Sequence, residues 1–195
     1  MTIDIAERKH GIANLKGRKV VIFGAGPVAR IAAILAAKIG CDTYIVETWD
    51  KSNQGFVENL AKELTEEAGE EATNINGIFA PSFEERYEIA QKSDIIWSLA
   101  AAGVEILSEV WMQRLTGKKI VVDINLVPPY GIEGIKPKHK NDEIYPGIFG
   151  IGALALGRLK ANSEAEILKE AAKTNGLKIF DYHFAFKVAK GLLIK

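Results

Sequence analysis

Gly24-Ala25-Gly26-Pro27-Val28-Ala29 is a G-x-G-x-x-A run with a carboxylate, Glu47, further along the chain. An apolar, β-branched stretch, Val20-Val21-Ile22-Phe23, leads into it, and an alanine-rich helical pattern leads out. Strand before, helix after and acid beyond is the context in which such a turn cradles a dinucleotide pyrophosphate. Each residue type has a physical task there. Gly24 allows the tight strand-to-helix turn. Gly26, without a Cβ, lets backbone approach the pyrophosphate. Pro27 and Val28 open the helix, where a missing proline N–H costs nothing. Ala29 permits close packing of helix on strand. The free N–H groups and positive dipole end of the helix then face the phosphates. Glu47 can accept hydrogen bonds from both ribose hydroxyls, with Thr48 beside it. The same residues also suit a glycine turn in a domain of this type that carries no cofactor.

Other residues are placed for contact with such a ligand. Ser98 precedes Leu99 and the small residues Ala100-Ala101-Ala102-Gly103, whose size would let backbone approach a cofactor or a helix pack closely on a sheet. Asp123 lies inside an apolar strand. It reads either as a hydrogen-bonded structural carboxylate or as a group that orients a nicotinamide or substrate. Asn125 follows just past that strand, where its amide can bond a carboxamide, and Val127 shares its loop. Pro128 and Pro129 fix the loop. Trp49 can cover an adenine, whereas Trp97 and Trp111 read as core. No catalytic acid, base or nucleophile emerges. His10, His139 and His183 are far apart, and no metal site is expected.

Composition narrows the classes. Of 195 residues, 48% are hydrophobic and 26% charged, with a formal net charge of zero. That balance exerts no bulk pull toward nucleic acid or anionic membrane. The single cysteine, Cys41, excludes an intrachain disulfide and reads as a small packing residue. The charged N-terminus has no apolar signal-like segment, and no stretch is long enough to span a bilayer. A reducing cytoplasm is the expected location.

The elements alternate. A helix is expected over about 3–14, strands over 19–23, 43–46, 75–79, 95–99 and 119–124, and helices over about 27–39, 52–68 and 83–91, with another ending near 114. Phe56, Leu60 and Leu64 fall on one face of the second of these helices, with Val57 and Ala61 beside them, and Glu63, Glu66, Glu67, Glu70 and Glu71 on its solvated face and end. Ser82 and Glu85 match a capping box. Residues 125–147 read as a long loop, 152–174 as a helix, 177–180 as a short extended piece, and about 181–193 as a last helix capped by Asp181. Continuous apolar strands between helices predict a doubly wound, mostly parallel sheet of Rossmann type with flanking helices, forming one domain over 1–195.

VVDINLVPPYGIEGI at 121–135 and FGIGALALGRLK at 149–160 resemble the methylene-tetrahydromethanopterin dehydrogenases, as do Gly26-Pro27-Val28 and the Phe180-Asp181 ending. The resemblance runs from about Leu15 to the end. It implies hydride transfer from a methylene-tetrahydropterin to NAD or NADP. That step leaves a resonance-stabilised methenyl cation, so it needs positioning and water exclusion rather than a base. Two departures matter. The family has a substrate domain before the Rossmann domain, where this sequence has a short helix, so the chain is expected to be a fragment or a reduced form. NADP-using members carry Gly then Arg where this chain has Glu47-Thr48, which favours NAD. A cofactor-binding subunit completed by another chain is the rival reading. A third is another small dehydrogenase: GRKVVIFGAGPVA also resembles precorrin-2 dehydrogenases, but the 121–135 loop does not fit them. Apolar positions of the helix at 3–14 and of the C-terminal helix (Phe184, Phe186, Val188, Leu192 and Leu193) are expected to be only partly buried in a monomer, which implies a homo-oligomer or a second subunit.

Overall fold

The computed structural model describes residues 10, 15–49 and 51–193. Five strands form in chain order: β1 (Lys19–Phe23), β2 (Asp42–Glu47), β3 (Ile75–Phe79), β4 (Ile95–Ser98) and β5 (Lys119–Asp123). Helices α1 (Pro27–Lys38), α2 (Gln54–Ala68), α3 (Phe83–Gln91) and the short α4 (Glu109–Met112) lie between them. Then come β6 (Lys140–Tyr145), β7 (Ile148–Gly152), α5 (Ala153–Lys173) and α6 (Tyr182–Leu193). The seven strands pair in the order β3-β2-β1-β4-β5-β7-β6. All neighbours are parallel except the β6–β7 pair. This is the doubly wound, mostly parallel arrangement that the alternating pattern predicts.

Strand period sorts the core. Val20, Ile22, Ile45, Ile95 and Val122 pack on one face with α1 and α2. Val21, Phe23, Val46, Ile96 and Val121 pack on the other with Met112 and Ile132. Adjacent residues of one strand thus serve opposite clusters, so both faces of the sheet are covered. Local signals set the helix starts. Asn53 accepts from the Phe56 N–H at 2.9 Å, and Ser82 and Glu85 form the predicted capping box. At the far end of α3, Lys119 donates to the carbonyls of Gln91 and Ser93, both at 2.7 Å. Burial holds that amine below the usual lysine range, against the opposing effect of Asp94.

Several elements depart from expectation. The segment before 114 is mostly not helical, because Ile106 and Leu107 donate to Gly131 and Leu107 accepts from Glu133. Those bonds draw the segment out into a bridge between Leu107 and Ile132. The expected loop 125–147 contains β6, whose alternation is broken by two register shifts and by Asn141 at φ 76°. Charged side chains and bulges of this kind protect a sheet edge. Of the apolar face expected on α2, Val57, Leu60, Ala61 and Leu64 are buried, with Ala68, but Phe56 is exposed. Residues 177–180 form no strand, and Leu177 and Ile179 are exposed. Trp97 and Trp111 are half-buried. The expected helix over 3–14 lies outside the described residues apart from His10. Asp181 does cap α6, accepting from the Phe184 N–H at 3.0 Å. Among the described residues, no helix is long and apolar enough to cross a membrane.

Two glycines test this packing in opposite directions. A Cβ on Gly77 would stand 2.2 Å from the Val57 carbonyl oxygen, where α2 lies against β3. Gly77→Ala is expected to destabilise by about 2–4 kcal/mol in denaturant unfolding. Gly157, inside α5, has open space around its missing Cβ. Gly157→Ala is expected to stabilise by about 0.5–1 kcal/mol in the same measurement.

Candidate functional site

Register lines up the carboxyl ends of the central strands. Phe23 stands opposite Val46 and Ser98. Ser98 in turn pairs with Asp123, and Asp123 with Gly152. The chain winds one way from β1 through β2 to β3 and the other way from β4 outward. A crevice therefore opens between the ends of β1 and β4, where such sheets bind ligands.

The turn after β1 occupies that crevice. Gly24 has φ 118°, and a Cβ there would lie 2.7 Å from the Leu99 carbonyl oxygen and 2.9 Å from the Ala100 nitrogen. Only glycine meets both demands. Gly26 is different. Its φ of −74° is ordinary, and a Cβ would meet nothing within 4 Å. The fold does not need a glycine there, so what Gly26 leaves open is the cleft itself. Gly26 is the N-cap of α1 and supplies no side-chain cap, and Pro27 occupies the first helical turn. The early N–H groups of α1 are left to face outward. Val28 is exposed beside them, while Ala29 is fully buried in the core. Arg30 braces the turn, its Nε donating to the Ala25 carbonyl at 2.8 Å.

A cleft of about 840 Å³ runs from this turn to the end of β2. Gly24, Gly26, Pro27 and Val28 line one side, and Ala100 and Ala101 another. Glu47, Thr48 and Trp49 close the far end. One oxygen of Glu47, Oε1, accepts from the N–H groups of Thr48 at 2.8 Å and Trp49 at 2.9 Å. The carboxylate thus folds over its own turn, leaving Oε2 for another donor. Trp49 is largely exposed at the rim.

Ser98, Asp123, Asn125 and Val127 lie outside this cleft, along the row of strand ends. Asp123 is buried and works as a hub. It accepts from the Asn125 N–H at 3.0 Å and the Ile132 N–H at 3.0 Å. The Ser98 hydroxyl and the Gly131 N–H reach it too. Burial raises its pKa above the usual carboxylate range, and these hydrogen bonds oppose the rise. Of the two roles open to Asp123, the geometry supplies the structural one. The Asn125 amide is engaged within the loop: its Nδ2 donates to Pro129 at 3.4 Å and its Oδ1 accepts from Val127 at 3.2 Å. The role expected for it, bonding a carboxamide, would compete with these bonds. Leu126 and Val127 are exposed beyond it.

Two residues escaped the sequence reading. Arg86 is buried and lines the cleft beside Thr48. Its setting, Glu84-Glu85-Arg86-Tyr87-Glu88, looks like any solvated helix face. Gly131 follows the tandem proline, and a Cβ there would fall 2.1 Å from the Ser98 Oγ. The Pro-Pro-Tyr-Gly context marks a turn but not this contact.

Comparison with known proteins gives matching results. The chain is 30% identical over 178 residues, 90% of its length, to an NAD(P)-dependent methylenetetrahydromethanopterin dehydrogenase of Methylorubrum extorquens, of which it covers 58%. It is 34% identical over 106 residues, 54% of its length, to the bifunctional protein MdtA of the same organism, covering 36% of that protein. The chain thus spans just over half of the first relative and about a third of the second. These likenesses bear out the resemblance read at 121–135 and 149–160. No family model matches. Among solved structures, an L-alanine dehydrogenase superposes with a TM-score of 0.56 at 14% identity, over 98% of this chain and 54% of that one. Shikimate 5-dehydrogenase from Listeria monocytogenes, in complex with shikimate and NAD, gives 0.55 at 16% identity, over 97% and 60%. At such identities the likeness is one of fold.

The Asp123 hub makes a specific prediction. Gly131→Ala pushes a methyl group into the Ser98 hydroxyl and is expected to cost about 2–4 kcal/mol. Ser98→Ala removes one donor to Asp123 and should cost about 1–2 kcal/mol. The double variant should cost less than the sum by about 1 kcal/mol, because losing Oγ makes room for the new methyl. A double-mutant cycle in urea measures this coupling, and strict additivity would contradict the contact.

Proposed function

We propose that this chain binds a nicotinamide dinucleotide across the ends of its parallel strands. On this reading it is the cofactor-binding part of an oxidoreductase acting on a methylene-tetrahydropterin. The observation that carries the proposal is the turn at Gly24–Val28. It joins a glycine that the fold requires to one that the fold does not require, and it sets an uncapped helix N-terminus on the 840 Å³ cleft. The residues fit the group. The early N–H groups of α1, with Gly26, Pro27 and Val28, would hold the pyrophosphate. Glu47 Oε2 would accept from the ribose hydroxyls, with Thr48 and Trp49 around it. Ala100 and Ala101 would allow close approach along the cleft. Asn125 and Val127 would border the nicotinamide end, with Ser98 and Asp123 holding their loop in place. Bound there, the group supplies a hydride acceptor.

The pterin part of the reading rests on the relative named for methylenetetrahydromethanopterin and on the 121–135 loop that prompted the resemblance. A second reading, a cofactor-binding subunit completed by another chain, draws on the apolar side chains left uncovered near the C-terminal helix. α6 has no buried residue, and Leu168, Leu177 and Ile179 are exposed nearby. We therefore infer association through α6, with a second copy or another subunit. Sedimentation at micromolar concentration, alongside an NAD(P) reduction assay with methylene-tetrahydromethanopterin, separates the readings. A monomer with full dehydrogenase activity would rule out the need for a partner.

Gly26→Val is expected to leave the fold intact, since its side chain enters open space in the free protein, yet to weaken NAD binding at least about tenfold, or about 1.4 kcal/mol. Calorimetric titration of a folded variant with unchanged affinity would remove the cofactor reading. Wild-type protein should prefer NAD, because a 2′-phosphate would meet the Glu47 carboxylate. Replacing Glu47 with Gly and Thr48 with Arg frees the N–H groups of residues 48 and 49 and adds a cation. Paired NAD and NADP titrations should show the preference moving toward NADP. Tighter wild-type binding of NADP than NAD would refute the role given to Glu47.

A further inference from the structure

Arg86 is the fourth residue of α3, and its side chain points back over the helix start, as helical geometry directs. Arg86 is 8% exposed. Nε donates to the Ala80 carbonyl at 3.0 Å, and one terminal nitrogen donates to Glu105 at 3.1 Å. The other donates to Thr48 at 3.4 Å and to Pro81. The Phe83 ring lies 5.0 Å from its central carbon. These carbonyls come from the segments that follow β2, β3 and β4, of which the second is also tied to the end of β2 by the Ala80 N–H bond to Glu47. One fork gathers all three.

No carboxylate among the described residues forms an ion pair with Arg86, although Glu85 and Glu105 lie close enough to oppose the lowering of its pKa by burial. Carbonyl oxygens solvate a guanidinium without neutralising it. Burying a cation this way is costly unless something else gains from it. The cleft beside it is the place to look, because Arg86 lines the same cavity as Glu47, Thr48 and Trp49. The held Thr48 carbonyl fixes the turn whose N–H groups hold Glu47.

We infer that Arg86 is a positioning residue for a phosphate-bearing adenosine. Its fork pre-assembles the wall of the cleft at the ends of β2, β3 and β4. A wall built before the ligand arrives spares the cost of ordering three loops on binding. Lysine cannot replace it: one ammonium is a point donor and does not span carbonyls spread around a planar fork. The inference rests on the dinucleotide reading.

The test compares wild type, Arg86→Lys and Arg86→Met by calorimetric titration with NAD and with AMP, at a temperature where circular dichroism shows each variant folded. Both variants are expected to weaken NAD and AMP at least about tenfold, with Arg86→Met the weaker of the two. A lowered melting midpoint with both affinities within about twofold of wild type would mean that Arg86 only supports the fold, and would overturn the inference. Wild-type protein that binds neither NAD nor AMP would overturn the dinucleotide reading itself, which distinguishes the two failures. Should the variants fail to fold, hydrogen exchange on the wild-type chain decides. Slow exchange over 47–53, 78–82 and 103–107 before NAD is added is the expected result. Fast exchange there that slows only with NAD would show that the wall is not pre-assembled.

Discussion

The close passage of Gly24 beneath Leu99 and Ala100 is the constraint on which the rest of the site depends. Parallel neighbours β1 and β4 end at the same edge, so the turns leaving them must share one space. The Gly24 N–H bonds to Val46, and the Leu99 N–H bonds to Phe23, so the turn is sewn between β2 and β4 before it bends. A side chain at Gly24 would break that seam. Because the chain turns so sharply there, only three residues separate the end of β1 from the start of α1, whose N-terminus faces the crevice. The small residues after β4 follow from the same crowding.

Loops at strand ends carry backbone groups that have left the ladder, and each needs a partner once buried. Two charged side chains meet this demand here in complementary ways. Asp123 collects N–H groups from the loop after β5 and a hydroxyl from β4. Arg86 collects carbonyls from the loops after β2, β3 and β4. Neither neutralises the other. Each instead substitutes for the water its loops would otherwise require, and this is where burial of a charge returns rigidity. Removing either leaves several backbone groups orphaned at once, so the loss exceeds that of a single hydrogen bond.

The parallel core was legible because its strands, buried on both faces, read as unbroken β-branched runs, and β3 and α3 fall where the sequence puts them. The capping box of Ser82 and Glu85 has the same clarity, since its signal is local. What escaped depends on distant partners. β6 is a charged, bulged edge strand without clean alternation. The segment before α4 is pulled straight by Gly131, which lies more than twenty residues away. Phe56 looked like core because hydrophobicity alone does not set the rotation of α2, whereas the close contact at Gly77 does. Among candidate site residues, those of the glycine turn and Glu47 line one cleft. Arg86 did not announce itself, because a lone arginine among glutamates gives no sign that its partners are main-chain carbonyls.

The two ends of the row of strand termini are built unequally. At the β2 end, Glu47, Thr48 and Trp49 face Pro81 and Val104 across a walled cleft. At the β5 end, Leu126, Val127 and Leu154 are each more than half exposed. On the proposed reading the first end receives the adenosine and the second the nicotinamide. Binding energy is then concentrated at the walled cleft, and the reacting end is where apolar side chains stand exposed. Hydride transfer gains from the exclusion of water, so on that reading the exposed end is the one whose chemistry would gain most from cover. On the proposed reading, a surface laid over Leu126, Val127 and Leu154 would bury their exposed apolar area and dry the reacting end in one step.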